Sequence, residues 1–330
     1  MTRLAGTLSF AALALGVAST LSGQTASRFD VTTRCEAAGL TPEGLALCHD
    51  VATAVELTQP ELGLVLAGGN PVLGTASPIG TKFRWLPRMF IGGRLSFVWA
   101  EIPDILNYPD TPGEPVGKVD FSVTMPQLDL SVGIFDGFML NTTLGGFASV
   151  ELLGSLGSMI LPAGAGFQND ATGWGLGARI GVLRESFTAP GISVSGMYKS
   201  AGRIRYGNVA DGDDSQFSMD LDVTSFRAGI SKSFVAIGLA FTLGYDRYSS
   251  DVAFGVADAQ GDLVPVVPES APVNLSSGRW SAFADVSYIV LFFNIVAEFG
   301  WQETQTLTTS NGTELQSGKW LLGLGIRFSL

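Results

Sequence analysis

Few side chains in this chain have the type and spacing for chemistry. The single histidine, His49, follows Cys48 directly, and the only other cysteine is Cys35. Acid–base and nucleophilic catalysis usually place a histidine beside a serine, cysteine or carboxylate. No such set can form downstream of His49, because no second histidine exists. The close pair Cys35 and Cys48 in an exported segment predicts a disulfide worth about 3 kcal/mol. Adjacent Cys and His suit a zinc site poorly. Two carboxylate pairs stay open as acid–base groups, Asp220 with Asp222 and Asp285 with Glu298. The acidic loop Asp211-Gly212-Asp213-Asp214 offers oxygen ligands but lacks the spacing of a calcium loop, and reads as solvated. Gly173, Gly175 and Gly177 lie inside an alternating strand with no helix following, so they do not form a phosphate loop. The inventory therefore assigns no catalytic, metal or cofactor-binding residue, and no cofactor.

The elements that must position these groups read as strands. From about Met89 onward, apolar residues recur at every second position, the period of a strand with one greasy face. Trp320, Leu322, Leu324, Ile326, Phe328 and Leu330 share one face; Leu128, Leu130, Val132 and Ile134 another; Val235 to Tyr245 a third. Strands are expected near 89–102, 117–134, 138–154, 173–186, 191–206, 215–233, 235–254, 278–289, 291–304 and 317–330. Breaks of phase near Met125–Gln127 and Thr224–Ser225 read as bulges. With the apolar face turned outward, the opposite face carries Arg94, Asp129, Arg179, Lys199, Arg203, Asp220, Asp222, Asp285, Glu298 and Arg327, which read as structural salt bridges across a lumen.

The N-terminal region does not alternate. Residues 1–23 have the Arg3-bearing start, short apolar run and small residues of a secretory signal peptide. Thr41-Pro42-Glu43 opens a helix expected over 42–57, followed by a turn-rich stretch at 61–85. Residues 24–88 are thus expected as a periplasmic helical segment, for part of which a plug is one reading, and 89–330 as the strand domain. Without Arg3 the balance is 18 basic against 30 acidic residues, which excludes nucleic acid as a partner. Hydrophobic residues make up 46% and charged residues 15%. An exported chain this apolar, without a spanning helix, calls for a membrane barrel.

Connections counted from Met89 alternate long (103–116, 155–172, 207–214, 255–277, 305–316) and short, as barrels with long extracellular loops and tight periplasmic turns require. Trp99, Trp174, Trp280, Trp301 and Trp320 fall on the greasy face at the long-loop ends of strands and form one aromatic girdle. Phe138, Phe187, Phe234, Tyr288 and Phe292 form the other. The terminal strand, with Phe328 two residues before an apolar C-terminus, resembles the closing strand of bacterial outer-membrane β-barrels. That resemblance implies an outer-membrane location, partnership with outer-membrane lipid, and delivery by periplasmic chaperones and the barrel-assembly machinery. The Asn70-Pro71 pair resembles the N-terminal hatch of FadL-type transporters.

The expected fold is all-β: a closed antiparallel transmembrane barrel of about ten strands, twelve if 61–68 and 81–86 add a hairpin. Small inward residues such as Gly175, Gly181, Gly238, Gly323 and Gly325 leave three readings. They permit bending and twist, they accommodate a plug, or they line a pore. The function expected is a non-enzymatic pore or ligand-selective channel for a small solute. The alternative is a membrane-anchored interaction protein whose loops bind a partner.

Overall fold

A computed structural model describes residues 22–82, 86–109, 114–139, 145–291, 293–317 and 320–329. The expected signal peptide falls almost wholly on residues outside this set.

Ten antiparallel strands form the wall: β1 (Met89–Pro103), β2 (Lys118–Phe135), β3 (Ser149–Met159), β4 (Ala171–Leu183), β5 (Gly191–Tyr206), β6 (Ser215–Phe234), β7 (Ile237–Ala257), β8 (Val273–Val290), β9 (Phe293–Gln302) and β10 (Trp320–Ser329). Each pairs with its neighbours in sequence, and β10 closes the ring on β1, from Leu321 opposite Val98 to Ser329 opposite Phe90. Closure leaves no free edge within the ring, the condition for a sheet in hydrocarbon; a short strand, Leu263–Val267, adds to the far end of β7 beyond it. Two short hairpins, Thr81–Lys82 with Leu86–Pro87 and Thr306–Thr308 with Glu314–Gln316, stand apart from the wall. The barrel therefore has ten strands, not twelve.

Boundaries differ from expectation mainly at β3, which begins at Ser149 instead of 138. Gly137, Gly146 and Ala148 all take positive φ, and Phe138 meets Phe147 only in an isolated bridge. The wall also lacks the two expected phase breaks. Along β2, Phe121, Val123, Met125, Gln127 and Ser131 are all buried, so the alternation runs unbroken. Along β6 the same holds for Phe217, Met219, Leu221, Val223, Ser225 and Arg227. What changes is the character of the inward face. It is apolar toward the long connections and polar toward the short turns. Register shifts occur instead at Gly133/Phe135, Gly181/Leu183 and Ala201/Ile204.

Two helices precede the wall, and the second fills its apolar half. α1 (Ser22–Ala37) and α2 (Pro42–Ala67) are joined by the Cys35–Cys48 disulfide, with Cα atoms 6.0 Å apart. Thr41 caps α2, its hydroxyl accepting from the Gly44 amide at 3.1 Å, with Pro42 in the first turn. From Asp50 to Ala67 nearly every residue is buried. A helix without a wet face must lie inside something, and here that is the barrel. The helix runs ten residues beyond the expected end at 57, through Pro60. An interior proline costs about 3 kcal/mol. Full burial of Leu62, Leu64 and Leu66 offsets it at roughly 2 kcal/mol each.

The helical pair sits at the long-loop end. Arg34 donates to the carbonyl of Ala271, and Asp50 accepts from the hydroxyl of Tyr108 (2.8 Å) and from the amide and hydroxyl of Ser310 (2.6 and 2.7 Å). The pair thus lies at the barrel end opposite the short turns.

Candidate functional site: the occupied lumen

From Gly68 to Gly80 the chain descends through the polar half of the lumen as irregular backbone, and leaves at the short-turn end. Irregular backbone exposes amides and carbonyls that an apolar interior would leave unsatisfied, and the wall supplies the partners. Arg227 donates to the carbonyls of Gly68 (3.0 Å) and Gly69 (3.4 Å). Arg94 donates to the carbonyl of Asn70 at 2.9 Å, and Arg327 to that of Leu73. Arg179 reaches the carbonyls of Thr75 (3.2 Å) and Ser77 (3.4 Å). The acceptors mirror them. Glu298 takes the Asn70 amide (2.8 Å), Asp285 the Gly74 amide (3.2 Å), Ser231 the Ala76 amide (2.9 Å) and Glu151 the Ile79 amide (2.6 Å). The Asn70 side chain donates to Asp285 at 2.8 Å.

The same groups pair with one another. Arg94 meets Asp129 at 2.7 Å and Glu298 at 3.5 Å, Arg179 meets Glu151 at 2.5 Å, and Arg227 meets Asp246 at 2.7 Å. Ser281 adds a bond to Asp246 at 3.0 Å. Of the charged residues expected inside, Arg94, Arg179, Lys199, Asp285, Glu298 and Arg327 are buried in the lumen, and Asp129 lies at its margin. The carboxylates of Asp285 and Glu298, cross-strand partners on β8 and β9, are taken up by the plug.

Arg203, Asp220 and Asp222 point outward, which corrects their expected lumenal position. Arg203 forms an exposed pair with Asp220 at 2.8 Å and reaches Glu269 at 3.4 Å. The reading failed because it took the apolar face of every strand as the outer one. Leu221 and Val223, which flank Asp222, instead face the helices. Holding the phase constant would have found Arg227, Glu151 and Asp246, since all three fall on inward positions.

The small inward residues are matched to the plug. A Cβ built on Gly325 would lie 2.6 Å from Leu73, on Gly181 2.6 Å from Pro78, and on Gly191 2.7 Å from Ser77. In the plug itself, a Cβ on Gly69 would meet the Glu298 carboxylate at 2.2 Å, so only glycine allows that approach. His49 lies on α2, its carbonyl accepting from the Thr53 hydroxyl at 3.0 Å.

The outer surface completes the site. Trp99, Trp174, Trp280, Trp301 and Trp320 are all 40–55% exposed, and Leu128, Leu176 and Leu324 reach 58–63%. Trp301 stands opposite Trp320 across β9 and β10, and Trp280 packs edge-on to Tyr245 with ring centres 5.2 Å apart. Phe138, Phe187, Phe234 and Tyr288 are exposed near the other end, while Phe292 lies outside the described residues. An apolar belt between two aromatic girdles is a lipid-facing surface and supports an outer-membrane location.

No protein-family model and no curated protein matches the sequence. Among solved structures, the chain is similar to the translocator domain of the autotransporter NalP from Neisseria meningitidis, at 11% identity and TM-score 0.43 over 85% of this chain and 98% of that one. It is also similar to the outer membrane protease OmpT of Escherichia coli (11%, TM-score 0.37, 74% and 96%) and the toluene transporter TodX of Pseudomonas putida (11%, TM-score 0.32, 79% and 96%). All three are bacterial outer-membrane β-barrels. At this identity the likeness concerns fold alone, and the assignment here rests on the closed, lipid-girdled wall.

Proposed function

We propose that the protein is a closed, non-enzymatic outer-membrane barrel that anchors a disulfide-tied helical hairpin and long loops at the cell surface, where they contact a partner. The occupied lumen carries this reading. Residues 42–80 run through it from end to end, and wall side chains take up the backbone groups of its irregular part. A narrow barrel filled in this way offers solutes no continuous path. The test is twofold. Full-length protein refolded into planar bilayers is expected to give no ion conductance, and a steady open pore would overturn the proposal. An epitope inserted at Gly39, between α1 and α2, is expected to be stained by antibody on intact cells. Staining only after permeabilisation would place the hairpin on the wrong side.

A gated channel is the second reading. It is favoured by the irregular segment 68–80, which non-covalent side-chain contacts hold. A Cβ at Gly229 would lie 3.2 Å from that of Ala76, close to the separation a disulfide spans. The A76C/G229C protein, oxidised, locks the plug to β6. Solute uptake that the lock abolishes and reduction restores would favour the channel over the anchor.

A further inference from the structure

Just above the Trp girdle, on the outer side of the wall, lies a cleft of about 720 Å³. Its flanks are the Thr306–Gln316 hairpin and the turn at 162–165, and its lining includes Trp99, Trp320, Glu101, Asp120 and Gly164. Glu101 and Asp120 are direct cross-strand partners on β1 and β2. Like charges in that arrangement repel. Lys118 stands 4.0 Å from Glu101 and also donates to the Glu314 carbonyl at 2.6 Å, and the Gln316 amide donates to the Glu101 carboxylate at 3.0 Å, so two carboxylates share one ammonium. Asp120 has no ion-pair or hydrogen-bond partner among the described residues. Two residues along β1 toward the membrane, Trp99 lines the same cleft; Trp320 borders it on the adjoining strand, since Leu321 pairs with Val98. Indole faces attract cations, so the one carboxylate left in excess and the indoles select the same ligand charge. The level of the cleft selects its kind: aromatic girdles mark the depth of lipid headgroups, and the leucine-rich belt begins directly below.

We propose that this cleft binds the ammonium headgroup of an outer-leaflet amphiphile, with the cation held by Glu101, Asp120 and the indoles of Trp99 and Trp320 and the acyl tail running down the belt. The site is independent of whether the lumen conducts. The test reconstitutes the full chain in phosphatidylglycerol vesicles carrying a minor fraction of chain-brominated phosphatidylethanolamine or, in parallel, chain-brominated phosphatidylglycerol. The quenching lost in W99F/W320F is the share belonging to the two cleft indoles. That share is expected to be larger with the ethanolamine lipid. E101Q/D120N is expected to reduce the preference about fivefold, the size of two exposed cation contacts. A Cβ on Gly164 meets nothing within 4 Å, so G164W should fill the cleft and remove the preference while heat-modifiable migration stays unchanged. Equal quenching by the two lipids in the folded wild type would overturn the proposal. So would a preference that survives E101Q/D120N or G164W in a folded barrel.

Discussion

The Arg227→Ala substitution tests whether the charged wall holds the plug. The Arg227 guanidinium binds both oxygens of Asp246 (2.7 and 3.0 Å), reaches the carbonyls of Gly68 and Gly69, and stacks 5.0 Å from the Phe283 ring centre. Asp246 is fully buried. Removing one partner of a buried pair costs about 3–5 kcal/mol, and an orphaned carbonyl adds about 1 kcal/mol at least. The backbone ladders of β6 on β5 and β7 stay intact in the variant. The loss should therefore fall on plug docking and not on closure of the barrel. About 4 kcal/mol is near a thousandfold in the open fraction, at 1.4 kcal/mol per factor of ten. The assay is thiol labelling of A76C, a buried plug position, by a small hydrophilic maleimide in vesicles, with and without R227A. R227L/D246L, which removes both charges together, should recover part of the loss, because the buried carboxylate is then gone. If R227A and its parent label at the same rate in folded barrels, the clamp does not hold the plug, and the account of the lumen fails.

Three further outcomes are expected. Gly191→Ala places a Cβ 2.7 Å from Ser77 of the plug, its nearest neighbour, and should raise A76C labelling while heat-modifiable migration stays intact. C35S/C48S should lose about 3 kcal/mol from the hairpin, seen as faster protease cleavage between α1 and α2 with the barrel core resistant. Burial first, and then its bond to the Asp50 carboxylate, raise the Tyr108 phenol above its ordinary pKa. A raised pKa means that the latch between α2 and the 104–117 loop is at full strength below the unfolded phenol's pKa of about 10, and weakens only as pH climbs through the higher folded value. Tyrosinate absorbance in wild type minus Y108F should accordingly titrate later than in the unfolded chain, and an unshifted difference titration would contradict the latch.

The wall was legible in the sequence because lipid imposes a rule with a period of two. Leu128 to Ile134 and Trp320 to Phe328 could have no other outer neighbour, and the alternation of long and short links then fixed the meander. The interior was less legible, because two rules compete there. Val98, Ala100 and Ile102 face inward on β1 above Arg94 and Ser96. A reader who assigns every apolar face to lipid must insert a slip where the polarity inverts. That error turned Asp220 and Asp222 inward and hid Arg227. The helix end was missed for a related reason. The stretch from 61 reads as turn-rich, and only the apolar collar of the barrel, assembled from residues far along the chain such as Tyr248 and Leu275, keeps residues 61–67 helical.

The inversion of the wall and the change of structure in the plug are one event. An α-helix satisfies its own amides and carbonyls, so an apolar collar of Val98, Met125, Leu221 and Val223 can hold α2 as far as Ala67. At Gly68, whose φ of 64° ends the helix, the backbone groups become orphans. There the wall changes to Arg94, Arg227 and Glu298, with Arg179, Glu151 and Arg327 further down. Each half of the lumen thus carries the side chains that its contents need. Exchanging them would cost on both sides: guanidinium groups around a helix would be buried without acceptors, and valines around residues 68–79 would leave amides and carbonyls bare at roughly 1–3 kcal/mol each. The polarity of the inward face therefore reports the secondary structure of what the barrel encloses. On that ground the segment from Gly68 to Ile79 was specified by residues between 94 and 327 as much as by its own sequence.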